Sequence, residues 1–232
     1  MNAPPSWLRR TYRGAARPWR ALLSAWRILH RGYGHTRSVF RQEAVDGDNR
    51  EIPWFTYPAL EYLRQLDFSA KAVFEFGAGN STVFWSRRAA RVVSVDHSPA
   101  WCERIRSRLG ANAELHLVEN PENYPRLLTE RSELFDVIVV DGIERPACCA
   151  EAVKKLRPGG LIILDNSDRD FHCAAVLREA GLLEVDMSGF GPIVGFTWTT
   201  SFFFHREFDF PPRQSHQPAP GIGSLNPTGA KR

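Results

Sequence analysis

Two hydrophobic periods take turns along this chain. Between about residues 50 and 210, short β-branched or aromatic runs fall at 71–76, 91–95, 114–118, 135–140 and 161–164. Stretches with helical spacing lie between them, at 80–90, 98–109, 123–131, 145–156 and 169–180. The runs VFEF and VIVV are nearly all apolar, as expected of central parallel strands covered on both faces. Ser98-Pro99 is a helix start, a capping residue followed by proline at the first helical position. Pro158-Gly159-Gly160 reads as a stop ahead of the fifth strand. Two later runs, 182–187 and 196–204, are separated only by the turn Ser188-Gly189-Phe190-Gly191-Pro192. That gap is too short for a helical crossover, so they are expected to pair antiparallel at one edge. The alternation predicts an α/β fold: a doubly wound, mostly parallel sheet with an antiparallel edge pair.

Composition changes the picture mainly at the ends. With 232 residues, 43% of them apolar and 24% charged, the chain has room for one domain with tails. No uninterrupted apolar run is long enough for a membrane span. The net charge of +4 hides an asymmetry: residues 1–42 hold nine arginines and no Asp, Glu or Lys. The rest therefore carries −5, from 21 basic and 26 acidic residues. The expected division is a basic amphipathic arm over 1–45, a domain over 46–210 and a tail over 211–232.

In the arm, Trp19, Leu22, Leu23, Trp26 and Leu29 follow a helix stripe, flanked by Arg17, Arg20, Arg27 and Arg31. Three readings stay open. The stripe packs on the domain, or residues 7–31 touch an anionic membrane surface, or the segment is an organelle transit peptide. The acidic body argues against a nucleic-acid partner. Without a secretory apolar region, the expectation is a cytoplasmic protein, membrane-peripheral if the arm docks. Its four cysteines are then reduced and buried, and the lack of a C-x-x-C pair speaks against structural zinc. The tail, with five prolines, three glycines and only Ile222 and Leu225 as large aliphatics, is expected to be disordered.

The chemistry should sit at the carboxyl ends of the parallel strands. After the first strand, Gly77-Ala78-Gly79 allows a tight turn and close approach of a ligand to the backbone. The following helix turns free N–H groups toward an anionic group. Asp96, 19 residues beyond Gly77, stands where a carboxylate can accept from two ribose hydroxyls. Asp141 follows the fourth strand and Asp165-Asn166 the fifth. Asp96→Ala is expected to leave the fold nearly untouched. His97 reads as a pocket wall or a surface residue, and Trp54 and Tyr57 as either a lid or core.

EFGAGNST, VVSVDHSP, FDVIVVDG and LRPGGLIILDN, in this order, resemble the motif series of the class I S-adenosylmethionine-dependent methyltransferases over about residues 70–205. The resemblance implies a seven-stranded Rossmann-like sheet whose seventh strand is inserted between the fifth and sixth. It implies S-adenosylmethionine as cofactor, with Glu75, Gly77, Ala78 and Gly79 lining the amino acid half. Asp96 would meet the ribose, and Asp141 the sulfonium region as the catalytic candidate. Ser81 stands where the family usually has a third glycine. Similarity to the cation-dependent O-methyltransferases further implies Mg²⁺ held by Asp141, Asp165 and Asn166. Alternatively, Asp165-Asn166 simply turns the chain. Without metal, Asp141, Asp168 and His172 are the candidate bases. The expected reaction is methylation of a small-molecule or glycan hydroxyl, or an amine. The alternatives are an NAD-dependent oxidoreductase, disfavoured by the missing last glycine of G-x-G-x-x-G, and a non-catalytic nucleotide-binding module.

Overall fold

A computed structural model describes residues 18–215 and 217–224. Its centre is a seven-stranded sheet: β1 Ala72–Phe76, β2 Arg91–Asp96, β3 Ala113–Leu117, β4 Phe135–Val140, β5 Leu156–Asp165, β6 Leu183–Phe190 and β7 Thr197–Phe204. The spatial order is β3-β2-β1-β4-β5-β7-β6. The pairs among β1 to β5 are parallel; β7 runs antiparallel to both β5 and β6. The antiparallel edge expected from the short turn is therefore present, with the last strand inserted beside β5.

The five helices expected from residue 80 onward form with trimmed ends. After a helix over 18–27 (α1), which widens into a π-turn at Ile28–Gly32, come α2 His35–Arg41, α3 Tyr57–Leu63 and α4 Asn80–Ser86. The rest are α5 Pro99–Arg106, α6 Arg126–Thr129, α7 Arg145–Lys155 and α8 Phe171–Glu179. At the start of α5 the Ser98 hydroxyl accepts the Trp101 N–H, so the predicted cap forms.

Strand alternation divides the core in two. Val73, Val137, Val139, Leu161 and Ile163 face one layer, with α3, Phe84 and Trp85 of α4, and Phe202. Phe74, Phe76, Ile138, Val140, Ile162 and Leu164 face the other, with Cys148, Cys149, Ala152, Cys173 and Leu177 of α7 and α8. A period of two sends successive side chains to opposite faces, and both faces are covered. That is why β4 is buried at every position. All four cysteines are buried and unbridged.

Two expectations fail. Pro158-Gly159-Gly160 does not precede the fifth strand but lies inside it, because β5 starts at Leu156 opposite Phe135. The register with β4 breaks between Phe135 and Val137. Gly159 takes φ 78° there, and the Gly160 carbonyl accepts the His205 N–H, so turn residues make an irregular strand start. The tail is not disordered where it is described. Leu66 bridges Pro212, the Arg213 N–H binds the Gln65 carbonyl, and the N–H groups of Ala219 and Ile222 bind the side chains of Gln65 and Glu61. Directed hydrogen bonds to α3 and its C-terminal turn supply the order that apolar burial cannot. Residues 225–232 lie outside the described residues, as do residues 1–17 of the arm.

Candidate active site

The site is built on the carboxyl ends of β1, β2, β4 and β5. Gly77 has φ 98°, and a Cβ there would come within 2.8 Å of the Asp141 carbonyl. Only glycine satisfies both demands, and the loops after β1 and β4 are thereby packed backbone to backbone. The loop is then held from two sides. The Gly79 N–H donates to the Thr82 hydroxyl (2.9 Å), which donates to Glu75 Oε2 (2.5 Å). The Ala78 N–H donates to Asp96 Oδ2 (2.9 Å), while Asp96 Oδ1 accepts the Ser98 N–H (2.8 Å).

A cavity of about 710 Å³ opens over this loop. Gly77, Ala78, Gly79, Ser81, Asp96 and His97 form one end. Asp141, Asp165 and Asn166 continue the wall. Trp54, Arg169, Ile193, Val194, Phe196 and Trp198 face the other end. The structure thus brings Gly77, Ala78, Gly79, Asp96, Asp141, Asp165 and Asn166 to one cavity.

Glu75 is the exception. It lies fully buried beneath the loop and outside the cavity lining, accepting from Thr82 and from Ser94 (3.0 Å), with Oε1 unpartnered among the described residues. Burial pushes its pKa up to about 7. Its part is to position the loop rather than to line the pocket. Asp96 also differs from expectation, because two backbone N–H groups depend on it; its replacement must disturb the loop. Each of its oxygens retains a second lone pair, so a pair of ligand hydroxyls can still be accepted. Of the other candidate bases, Asp168 is exposed and accepts the Thr199 N–H, and His172 is exposed; neither lines the cavity. Tyr57 is buried core, while Trp54 is half-exposed on the cavity wall.

The donor set proposed for a divalent ion does not fit one, because a guanidinium fills its centre. Arg145 Nη2 binds Asp141 Oδ1 at 3.0 Å, Nη1 binds the Asp165 carbonyl at 2.6 Å, and both approach Asn166 Oδ1 at 3.3–3.4 Å. Its Nε donates to the Gly142 carbonyl, and Asp170 lies 3.5 Å away. The Asp165 carboxylate turns elsewhere: Oδ1 accepts from Trp198 Nε1 (3.0 Å) and the Thr200 hydroxyl (2.5 Å). Asn166 itself takes φ 54° and accepts the Arg169 N–H through its carbonyl. The Asp-Asn pair therefore turns the chain, and the Mg²⁺ assignment to Asp141, Asp165 and Asn166 is corrected. Among the described residues no group of three or more His, Cys, Asp or Glu is arranged to hold a metal.

The electrostatics follow from this packing. Asp141 keeps 27% of its side-chain surface open to the cavity. Even so, desolvation on the cavity floor and the neighbouring Asp165 charge raise its pKa well above the carboxylate range, against the pull of Arg145. Burial pushes Asp165 up to about 6, opposed by Thr200, Trp198 and Arg145.

Several participants were missed in the sequence. Trp101 donates its indole N–H to the Ala78 carbonyl and closes the loop from above. It stands one turn after the Ser98 cap, close to the glycine loop. Arg145 carried a signal too. A basic residue in the first turn of a helix runs against the helix dipole, so its place four residues after Asp141 called for an ionic explanation. Trp198 and Thr200 reach the site only through the inserted β7.

Residues 74–167 match the family model described as a methyltransferase domain. Among solved structures, an O-methyltransferase from Bacillus cereus in complex with SAH superposes with a TM-score of 0.51 at 22% identity. The match covers 63% of this chain and 79% of that one. An N-methyltransferase from Bradyrhizobium japonicum gives 0.49 at 17% identity, over 75% and 100%. A precorrin 8w decarboxylase from Methanobacterium thermoautotrophicum gives 0.48 at 19%, over 70% and 95%. No curated protein matches the chain. The matched domain spans β1 to the end of β5 and holds the glycine loop and the carboxylates that follow β2, β4 and β5. The strand order agrees with the fold of that domain. Residues 74–167, about two fifths of the chain, thus share the pattern of a methyltransferase domain.

Proposed function

We propose that this protein transfers a methyl group from S-adenosylmethionine to a hydroxyl or amine of a small-molecule acceptor, with Asp165 as proton acceptor and without a divalent metal. One observation carries the reading: a single cavity runs from the glycine loop and Asp96, past Asp141 and Asp165, to an aromatic wall. The loop end suits the cofactor. Gly77 and Gly79 let it approach the backbone, Asp96 offers acceptors to the ribose, and Trp101 with His97 borders the adenine side. Asp141 stands between the two ends, where the positive charge of a bound sulfonium would favour its ionised form.

The cofactor supplies an electrophilic methyl carbon and a thioether leaving group. The chain must hold the acceptor in line with that carbon, the source of much of the rate. Trp54, Ile193, Val194, Phe196 and Trp198 offer an apolar bed for this. As the acceptor oxygen or nitrogen bonds to the methyl carbon and the carbon–sulfur bond breaks, the acceptor proton passes to Asp165. Trp198 and Thr200 both bind Oδ1, which leaves Oδ2 to receive it. A base with a pKa of about 6 is ionised at neutral pH yet still basic enough to help. Arg145 supplies the fixed positive charge between the β4 and β5 loops that a metal would otherwise bring.

The test is methyl transfer from radiolabelled S-adenosylmethionine to a fractionated small-molecule extract, with and without EDTA. Turnover should survive the chelator, and Asp165→Asn should lower it by roughly 10²–10⁴-fold while S-adenosylhomocysteine binding persists. Loss of turnover in EDTA, restored by Mg²⁺, would contradict the metal-free reading. An active Asp165→Asn variant would remove Asp165 as the base.

A further inference from the structure

Every residue of α1, from 18 to 27, is exposed. Trp19, Leu22, Leu23 and Trp26 show between 53% and 69% of their surface to solvent. The expectation that this stripe packs on the domain fails for these four residues; only Leu29, at the far end, joins the core. At 100° per residue the four span about one third of the helix circumference, and Arg20, Arg27 and Arg31 line one flank of it.

The helix is nevertheless fixed at its C-terminal end. Leu29 and Tyr33 pack on the core, and Ile28 sits so close to Gly223 that a Cβ there would meet it at 2.5 Å. Gly34, at φ 72°, lies against the Asp46 backbone, where a Cβ would come within 2.4 Å. From there α2 leads directly to Gln42, Glu43 and Ala44 on the cavity wall. An exposed apolar stripe on an anchored helix is a docking face rather than a frayed end.

Charge decides what docks. Residues 1–42 contain nine arginines and no acidic residue. Two such helices brought together from two copies of the chain would repel. No helix among the described residues is long and apolar enough to cross a membrane. A short helix with Trp and Leu on one face and arginines at its border suits the interface of an anionic bilayer. There the rings sit at headgroup depth and the arginines reach phosphates. We infer that residues 18–31 are a membrane-surface anchor, with Trp19, Leu22, Leu23 and Trp26 entering the interface of an anionic bilayer and Arg20, Arg27 and Arg31 on its headgroups. The inference does not depend on which acceptor is methylated.

The test uses the full chain and vesicles of phosphatidylcholine alone or mixed equally with phosphatidylglycerol. The protein should sediment with the anionic vesicles at low salt and be released as salt rises, because the charge attraction is screened. Each arginine removed should weaken binding about fivefold. A Trp19→Ser, Leu22→Ser, Leu23→Ser, Trp26→Ser variant should lose vesicle binding and keep S-adenosylhomocysteine binding, which also shows that it is folded. Brominated lipid should quench tryptophan emission in the parent and not in the variant. Equal binding to neutral vesicles, or unchanged binding by the variant, would overturn the assignment. So would a chain that ignores vesicles and forms a dimer that the variant abolishes, which would make the stripe a contact between copies.

Discussion

Arg145→Met removes the guanidinium at the centre of the site while keeping a side chain of similar length. In the parent, that group holds Asp141 Oδ1 at 3.0 Å, the Asp165 carbonyl at 2.6 Å and the Gly142 carbonyl at 3.0 Å. Removing one partner of a fully buried ion pair costs about 3–5 kcal/mol. Here the partners are 17% and 27% exposed, so water compensates part of the loss and roughly 2–3 kcal/mol is the expected cost. For a chain of this size each kcal/mol moves the melting temperature by roughly 2–4 °C, giving a drop of roughly 4–12 °C. The cost should depend on pH in a definite direction. The pKa of Asp141 is raised well above its ordinary value, so at low pH it is neutral and the arginine attracts it little. As pH rises and the carboxylates ionise, the variant alone must hold two unneutralised anions, so the deficit should be larger at pH 8 than at pH 5. The assay is thermal unfolding of both proteins at the two pH values, repeated with EDTA and with Mg²⁺. Parent melting should not respond to either addition, because the place between the loops is filled. A deficit below about 1 kcal/mol, or one identical at both pH values, would refute the argument. So would a parent protein stabilised by Mg²⁺.

Asp96→Ala should weaken S-adenosylhomocysteine binding by about 1.5–3 kcal/mol. It should also lower stability by about 1–3 kcal/mol, because the N–H groups of Ala78 and Ser98 lose their acceptors; calorimetry and urea unfolding read the two separately. Glu75→Gln should change the pH profile of stability rather than the affinity. The carboxyl ionises near 7 when folded and near 4.5 when unfolded, so rising pH draws protons from the unfolded chain first. The parent should therefore lose on the order of 3 kcal/mol between pH 4.5 and 7. The glutamine, still an acceptor for Thr82 and Ser94, should flatten that loss, and parallel profiles in urea unfolding would show that Glu75 is not held neutral.

The sequence was most legible where a residue's role follows from the strand it ends. Asp96, Asp141 and Asp165 were placed because parallel strands deliver their last residues to one edge, and that edge follows from apolar periodicity alone. What the sequence hid was which atoms face which. Asp165-Asn166 carries the same letters whether the carboxylate binds a metal or Trp198 and Thr200. The difference lies with an arginine twenty residues away and with a strand that returns late in the chain. Glu75 is similar. Its place in the glycine motif is plain, but strand parity turns it under the loop. The tail misled because composition registers missing apolar burial and not the hydrogen bonds that Glu61 and Gln65 supply from α3 and its C-terminal turn. Trp19 to Leu29 was legible as a helix stripe, while its exposure depended on where Gly34 and Gly223 fix its far end.

The most direct measurement of the central claim is titration calorimetry of the full chain with S-adenosylhomocysteine and, separately, with NAD⁺, both in EDTA. The site described here predicts one-to-one binding of S-adenosylhomocysteine, no heat with NAD⁺, and the same affinity when Mg²⁺ replaces the chelator. Binding of NAD⁺ in preference, or S-adenosylhomocysteine binding that appears only with Mg²⁺, would contradict it.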